Sequence, residues 1–223
     1  FLDKHYNDML LSMKTTKKIK DINIFFVENI RTSRRHIKKI YPNKNIDNII
    51  FYDYGKHNAV ILERDLLPHI LNGEEIGIMS ESGAPCVADP GAKIVKYAHN
   101  HNVEVIPLVG PSSILLALMA SGLNGQSFSF LGYLPIEKKE RIKALRKIEL
   151  NARKNRQTQI FMETPYRNNK LFDLIKKIFN NETNCCIASN ITCENQIIKT
   201  KTIREWKNAR IDLHKKPTIF LVS

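Results

Sequence analysis

Residues 76–91 read IGIMSESGAPCVADPG, in which a short apolar run passes directly into a loop rich in glycine and proline. The run at residues 76–80 predicts a strand, and residues 92–101 after the loop follow a helical pattern. Glycine lets the main chain approach a ligand closely, and a helix N-terminus offers free N–H groups. Ordinary turns also contain glycine and proline, so this loop by itself leaves a purely structural role open.

A second turn of the same kind follows, because residues 103–113 read VEVIPLVGPSS. Residues 103–108 predict a strand, and Ser112 or Ser113 would cap a helix over residues 112–121. Capping alone explains these serines. In an open parallel sheet, however, ligands bind beyond the carboxyl ends of the strands, where loops enter helices. Two such loops on successive strands therefore favour a ligand site.

The rest of the chain predicts an α/β protein with two domains. Up to residue 122, strands alternate with helices, which predicts a mostly parallel sheet. From residue 123 strands outnumber helices, which indicates a mixed sheet in a second α/β domain. The predicted domains are residues 1–122 and 123–223. The predicted strands are 22–27, 49–54, 76–80, 103–108, 127–131, 158–162, 184–189, 196–199 and 217–222, and the predicted helices are 31–40, 59–71, 92–101, 112–121, 137–155 and 168–179.

Composition excludes several classes of protein. With 223 residues, 43% of them hydrophobic and 26% charged, the chain is neither collagen-like, disordered nor a disulfide scaffold. Its four cysteines form no C-x-x-C pair, so we expect neither structural zinc nor another metal. We find no apolar stretch of transmembrane length and no signal-peptide pattern, and expect a cytoplasmic protein without a membrane association.

The formal net charge of +13 favours a polyanionic partner such as nucleic acid. The abundance of Lys, Ile and Asn leaves a base-composition bias as the alternative explanation. Five basic residues would share one side of the predicted helix at 31–40, and a face of like charge is stabilised by RNA phosphates; the alternative is a solvated face. These residues are Arg31, Arg34, Arg35, Lys38 and Lys39. In the helix at 137–155, Lys139, Lys143, Arg146 and Lys147 share a side in the same way.

Several common site motifs are absent from the sequence. There is no G-x-G-x-x-G, no G-x-x-x-x-G-K-[ST], no H-x-x-x-H and no G-x-S-x-G. Dinucleotide, nucleoside-triphosphate, zinc-protease and α/β-hydrolase chemistry are therefore disfavoured.

Taken in order, the loops resemble the tetrapyrrole methylase superfamily of S-adenosylmethionine-dependent methyltransferases, and within it the ribosomal RNA small subunit methyltransferase I branch. The matching stretches are FVENIRTSRR, GKHN, SESGAPCVADPGAKIV, VEVIPLVGPSSILLALMASGL, FLGYLPIEKKER, FMETPYRNNK and, more weakly, KPTIFLV. The combination of the G-A-P…D-P-G loop with V-G-P-S-S is specific to this superfamily. The sequence departs from the pattern in two respects. Nothing before Ile22 matches the first strand of the family, and residues 190–194 read NITCE where the rRNA branch usually carries a basic Leu-Thr-Lys-type segment.

The resemblance implies a class III methyltransferase fold, with S-adenosylmethionine in the cleft between two α/β domains, in a homodimer. It implies 2′-O-methylation of a cytidine in 16S rRNA, so that the partner is this RNA or the small ribosomal subunit. One alternative is a methyltransferase of the same fold that acts on a tetrapyrrole or another small molecule. A second alternative is a non-catalytic RNA-binding relative.

Site residues follow from the same resemblance. The implied cofactor contacts are Ser80, Glu81, Gly83, Ala84, Pro85, Val87, Ala88, Pro111, Ser112, Ser113, Met162, Ile191, Thr192, Pro217 and Thr218. The implied catalytic residues are Glu28, Arg31, His57, Asn58, Glu163 and Arg167, each at or just after the end of a predicted strand. Glu28, His57 and Glu163 are alternative candidates for the base that takes a hydroxyl proton, and Arg31 and Arg167 would hold phosphates. Capping and ion-pair roles remain open for the two glutamates, and His57 could equally be a loop histidine whose hydrogen bonds are satisfied within the protein.

Overall fold

The computed structural model describes residues 11–55 and 60–223. The described chain divides into two compact units, which meet in the sequence between Pro111 and Ser112. This division lies earlier than the predicted boundary at residue 123, because the helix at Ser113–Ser121 buries Ala117 and Leu118 in the core of the second unit. None of the helices in these residues has the length and apolar character needed to cross a membrane.

The N-terminal unit contains a parallel sheet, as predicted. Its elements are α1 (Met13–Asp21), β1 (Ile24–Val27), α2 (Ile30–Ile40), a 3₁₀ turn (Ile46–Asn48), β2 (Ile50–Asp53), α3 (Leu62–Asp65), α4 (Leu67–Leu71), β3 (Ile76–Met79) and α5 (Ala92–Asn100). The strands are in the order β2-β1-β3, and β1 pairs in parallel with both neighbours.

Strand β1 is buried on both faces, which is typical of a parallel strand in an α/β unit. Phe25 and Val27 pack in a cluster with α1 and α2, whereas Ile24 and Phe26 pack in a second cluster with α5. Side chains alternate along a strand, so this apolar run of four residues supplies both cores at once.

Helix α1 was not predicted from the sequence, and a lysine from another loop fixes its C-terminal end. The Lys44 ammonium donates to the carbonyl oxygens of Ile19 (2.9 Å), Lys20 (2.6 Å) and Ile22 (2.6 Å). These carbonyls would otherwise lack partners at the end of the helix. Burial lowers the pKa of Lys44 below its usual range.

Two predictions in this unit are wrong. The predicted helix at 59–71 is two short helices, because Pro68 lacks an N–H and stands in the first turn of α4, so it begins a new helix. The predicted strand at 103–108 does not form, and Ile106 is 51% exposed. A strand requires a neighbour for its main-chain hydrogen bonds, and among the described residues nothing pairs with this segment or with the free edge of β3.

The C-terminal unit is built on the predicted mixed sheet. Its elements are α6 (Ser113–Ser121), β4 (Phe128–Tyr133), α7 (Lys138–Asn155), β5 (Thr158–Met162), a 3₁₀ turn (Pro165–Arg167), α8 (Asn168–Ile178), β6 (Asn184–Ser189), β7 (Ile197–Thr202), α9 (Ile203–Asn208) and β8 (Thr218–Val222). The strands are in the order β4-β5-β8-β6-β7, in which β4 and β5 are parallel and the other neighbours are antiparallel. Helices α7, α8 and α9 cover one face of the sheet with Leu145 and Trp206, and α6 covers the other.

Candidate active site

The three strands of the N-terminal unit end at a common edge. Val27 lies opposite both Asp53 and Met79 in the parallel register. The N–H of Glu28 donates to the carbonyl of Met79 (3.1 Å), and the N–H of Tyr54 donates to the carbonyl of Val27 (2.9 Å). The segments that follow the strands therefore leave the sheet side by side, at the edge where α/β proteins bind ligands.

The Glu28 carboxylate holds the beginning of the loop at residues 80–91. Its Oε2 accepts a hydrogen bond from the N–H of Glu81 (2.9 Å), and the Thr32 hydroxyl donates to the carboxylate of Glu81 (2.6 Å). Thr32 lies in the first turn of α2, which Asn29 caps by accepting from the Thr32 N–H (3.1 Å). Glu28 therefore connects the end of β1, the start of α2 and the loop.

The loop at residues 80–91 has a strained main chain. Gly83 has φ +75°, and Cys86 and Ala88 adopt φ values of +68° and +62°. Side chains disfavour this left-handed region, and residues held in it concentrate at ligand sites when the surroundings enforce them. Val87, between the two strained residues, is 48% exposed.

Asp89 enforces this conformation from within the loop. Its two carboxylate oxygens accept from the N–H of Cys86 (2.8 Å) and the N–H of Gly91 (2.7 Å). Below the loop, the Tyr54 hydroxyl donates to the carbonyl of Met79 (3.1 Å). Burial raises the pKa of Tyr54 far above its usual range, and the nearby Asp89 carboxylate adds to the shift. The phenol therefore stays neutral and remains a donor to the strand end.

Two glycines leave open space beside the main chain. Among the atoms of the described residues, a Cβ on Gly83 would meet none within 4 Å, and a Cβ on Gly110 would approach only Leu11 Cδ2, at 3.9 Å. The positive φ at position 83 explains why glycine stands there, whereas the φ of Gly110 is not positive and gives no such explanation. Packing among the described residues thus gives no reason for glycine at position 110. A ligand that lies against the main chain would give one.

The turn at residues 109–113 is attached at both ends. The Thr15 hydroxyl of α1 donates to the carbonyl of Val109 (2.8 Å). The Ser112 side chain accepts from the N–H of Leu115 (3.5 Å) and so caps α6. The capping role considered for this serine is confirmed, and it leaves the Ser113 hydroxyl available for another contact.

In the C-terminal unit, Glu163 is completely buried at the end of β5 and binds Arg167. Its Oε1 accepts from Arg167 Nη2 (2.7 Å) and Nε (3.0 Å), and from the N–H of Thr164 (2.7 Å). Oε2 has no hydrogen-bond partner among residues 11–55 and 60–223, and Arg141 Nη2 lies 3.8 Å from it. The carboxylate is thus surrounded by two guanidinium groups.

Arg141 joins this cluster to the connection between β4 and α7. Its Nε donates to the carbonyl of Pro135 (2.8 Å) and its Nη2 to the carbonyl of Ile136 (2.7 Å). Only 12% of the Arg141 side chain is exposed. Glu163, Arg141 and Arg167 therefore fix the connection at 134–137 and the start of α8 relative to β5.

A second strained segment follows β6 in the same unit. Asn190 has φ +49° and Thr192 has φ +72°, a value that is rare for a β-branched residue. The N–H of Asn190 donates to the carbonyl of Pro217 (2.9 Å), and the Thr218 hydroxyl donates to Ser189 Oγ (3.1 Å). The predicted cofactor positions at 191–192 and 217–218 are thus joined through neighbouring strands.

Residues 10–207 match the family model of the tetrapyrrole (corrin/porphyrin) methylases, which is most of the chain. The chain belongs to this family.

Several curated relatives of this methylase chain are named "Ribosomal RNA small subunit methyltransferase I". The protein from Halalkalibacterium halodurans is 34% identical over 153 residues, which is 68% of this chain and 51% of that protein. The protein from Buchnera aphidicola subsp. Acyrthosiphon pisum is 30% identical over 200 residues, 88% of this chain and 67% of that protein. The Vibrio cholerae protein is 37% identical over 133 residues, 60% of this chain and 44% of that protein. The chain thus spans about half to two thirds of these relatives' lengths.

Two solved structures share the fold. One is described as the methyltransferase CobJ, with a TM-score of 0.61 and 16% identity over 96% of this chain and 88% of that chain. The other is described as the cobalt precorrin-4 methyltransferase CbiF, with a TM-score of 0.60 and 13% identity over 97% of this chain and 90% of that chain. These similarities confirm the predicted α/β methylase fold.

The described structure brings some predicted site residues of the methylase together. Glu28 contacts Glu81, and Glu163 contacts Arg167, as described above. Met162 and Ile191 are buried in the cluster under α6, so their side chains contribute to packing within the C-terminal unit. His57 and Asn58 lie outside the described residues.

The predicted RNA-binding residues on α2 are only partly available. Arg34 forms an ion pair with Asp47 (2.7 Å) and lies over the Phe51 ring. Lys38 donates to the carbonyl of Lys44 (3.3 Å). The basic face predicted from the sequence is present on α2, but two of its side chains already bind groups of the protein. The face also includes Arg31, Arg35 and Lys39, all exposed.

Sequence reasoning missed three residues that shape the site: Tyr54, Asp89 and Arg141. Asp89 precedes Pro90 and Gly91, and aspartate before a turn commonly accepts from main-chain N–H groups further along, so its role had a local signal. No local sequence pattern indicated the role of Arg141, because its partners are the carboxylate after β5 and main-chain carbonyls of the connection between β4 and α7. Tyr54 had only its place at the end of a predicted strand.

Proposed function

We propose that this chain transfers a methyl group from S-adenosylmethionine to a ribose 2′-hydroxyl of 16S rRNA in the small ribosomal subunit. The observation that carries the proposal is the loop at residues 80–91. Its strained main chain, held by Glu28 and Asp89, lies at the carboxyl edge of a parallel sheet in a methylase family member. The similarity to proteins named as small subunit rRNA methyltransferases supplies the acceptor.

The proposed cofactor site uses main chain more than side chains. The main chain at Gly83, at Gly110 and at Pro111 would lie against the cofactor, because both glycines leave open space there. When bound, S-adenosylmethionine supplies a methyl group that is already electrophilic because it is attached to a sulfonium. The residues therefore act mainly by alignment, which can contribute ~7–11 kcal/mol. Further proposed contacts are Ser80, Glu81, Ala84, Pro85, Val87, Ala88, Ser112, Ser113, Met162, Ile191, Thr192, Pro217 and Thr218.

A base near the acceptor hydroxyl would accelerate transfer by about 10²–10⁴-fold. Glu163 is buried and bound to Arg167, and Glu28 holds the loop, so we propose that both position other groups. His57 remains the candidate base on sequence grounds. We propose that Arg31, Asn58 and the outward-facing part of Arg167 orient the RNA, the arginines through its phosphates.

RNA fits the charge of the chain better than a small acceptor does. A tetrapyrrole needs neither a net charge of +13 nor two basic helix faces. We further propose that the protein works in the cytoplasm, where ribosomal subunits are, as a homodimer and without a metal ion. Light scattering of the purified chain tests the dimer, with a mass near twice 25.7 kDa expected.

The proposed activity is tested by incubating the purified chain with methyl-labelled S-adenosylmethionine and small subunits that lack the modification. Digestion of the rRNA should yield one labelled 2′-O-methylated nucleoside. A chain that binds the cofactor but labels only small molecules would refute the RNA acceptor. A chain that transfers no label to either would refute methyl transfer.

A further inference from the structure

We propose that the outward side of α7 is a second RNA-binding surface, which contacts the phosphate backbone of the rRNA substrate. This inference rests on the proposed function and extends it to a helix of the C-terminal unit. We name this surface the α7 basic face. It consists of Lys139, Lys143, Arg146, Lys147, Arg153 and Lys154, all exposed.

The helical period places these six residues on one side. Leu145, Ile148 and Ala152 form the opposite side and are buried against the sheet of the C-terminal unit. With 3.6 residues per turn, the six cations and the half-exposed Leu150 face away from that core. The packed side holds the helix in place, so the charged row is presented rigidly over about 22 Å, at ~1.5 Å per residue.

The protein neutralises little of this charge. Among the described residues, Lys143 is the one member of the α7 basic face that forms an ion pair, with Glu140 (2.8 Å). Glu149, which flanks the face, instead accepts from the N–H of Asn180 (2.6 Å) and the hydroxyl of Thr183 (2.6 Å). Most of the positive charge on α7 is therefore left for an external anion.

The lysines in the first half of the α7 basic face are unfavourable for the helix alone. Lys138 and Lys139 lie in the first turn, near the positive end of the helix dipole, where acidic residues are favoured. Lys139 and Lys143, and Lys143 and Lys147, stand four residues apart and repel each other. The helix dipole accounts for the two basic residues of the last turn but not for these lysines, whereas contacts with phosphates account for the whole row.

The contrast with α2 strengthens the assignment. On α2, Arg34 already binds Asp47 and Lys38 already binds a carbonyl. The α7 basic face has fewer internal partners and a longer straight run. A phosphate backbone fits this surface because its charges repeat regularly along a strand and each contact releases counterions.

The test measures how RNA affinity depends on salt. The full chain is compared with the triple variant Lys139→Gln, Lys143→Gln, Lys147→Gln, using the small subunit rRNA as the probe. The matched control, Lys17→Gln, Lys96→Gln, Lys199→Gln, removes the same charge from exposed lysines on α1, α5 and β7. Circular dichroism confirms that each variant is folded.

The α7 triple variant should bind more weakly and show a slope of log K against log salt that is shallower by about 2 to 3. The control should keep the slope of the unmodified chain. Equal slopes for both triple variants, with tight binding by the unmodified chain, would overturn the α7 proposal and leave the proposed function intact. Failure of the unmodified chain to bind rRNA would overturn both.

Discussion

At the scale of single residues, the two glutamates at the strand ends bind neighbouring groups of the protein. Glu28 accepts from the main chain of the loop at 80–91, and Glu163 is shared between Arg167 and a neighbouring main-chain N–H. Their places at strand ends were predictable from apolar runs followed by a charge. Their partners were not, because each partner is set by tertiary contacts.

Gly83→Ala should weaken binding of S-adenosylmethionine at least tenfold, since an alanine at φ +75° is strained and its methyl group would occupy the open space beside the loop. Gly73→Ala is the matched control, because Gly73 has φ +68° and equally open surroundings but lies before β3 rather than after it. Calorimetric titration compares the two. Equal affinities for both variants would mean that the loop does not contact the cofactor.

Arg167→Met should lower the free energy of unfolding by about 3 kcal/mol, because it leaves the Glu163 carboxylate buried without its main partner. Urea unfolding measures the loss. The control is Arg204→Met, which removes an ion pair with Glu182 whose two side chains are mostly exposed, and which should cost below ~1 kcal/mol. Similar losses for the two variants would show that Glu163 is solvated in solution.

At the scale of helices and strands, local pattern predicted most elements but not those that depend on a partner. The apolar runs of β1, β5 and β8 indicated buried strands, and all three are buried along their length. Residues 103–108 also carry a strand pattern, weakened by Pro107, and form no strand, because strand formation needs a neighbour that the pattern cannot supply. Helices α1 and α9 were missed because they are short and highly charged.

Helix α9 should lose stability in acid through its capping box. The Glu205 carboxylate accepts from the N–H and the hydroxyl of Thr202 (both 2.8 Å), and these bonds lower the pKa of Glu205. A lowered pKa in the folded state means that this contribution is present above the ordinary value near 4.5 and disappears as pH falls through the folded value.

Glu205→Gln should therefore destabilise the protein at neutral pH, and its difference from the unmodified chain should narrow below about pH 4. Urea unfolding across this range provides the measurement. Glu194→Gln, at an exposed glutamate in the turn after β6, should show no such pH-dependent difference. A Glu205→Gln effect that is the same at all pH values would contradict the capping role.

At the scale of the whole chain, the two-unit organisation and the net charge were accessible from the sequence, whereas the arrangement of the site was not. The change from alternating strands and helices to a strand-rich sequence indicated a second unit. Helix α6 belongs to that unit because its apolar side chains pack in its core, and no local sequence pattern shows where they pack. The fold and the methylase resemblance followed from the ordered loops. The position of Arg141 beside Glu163 and the ion pair of Arg34 with Asp47 could be seen only in the structure.

We propose that the turns at Gly83 and Gly110 place main chain against one shared ligand. The decisive measurement is a crystal structure of the chain with S-adenosylhomocysteine, the product left after methyl transfer. The ligand should contact the main chain of residues 83–85 and of residues 110–111 at once. Well-defined ligand density that touches neither turn, or only one of them, would contradict it.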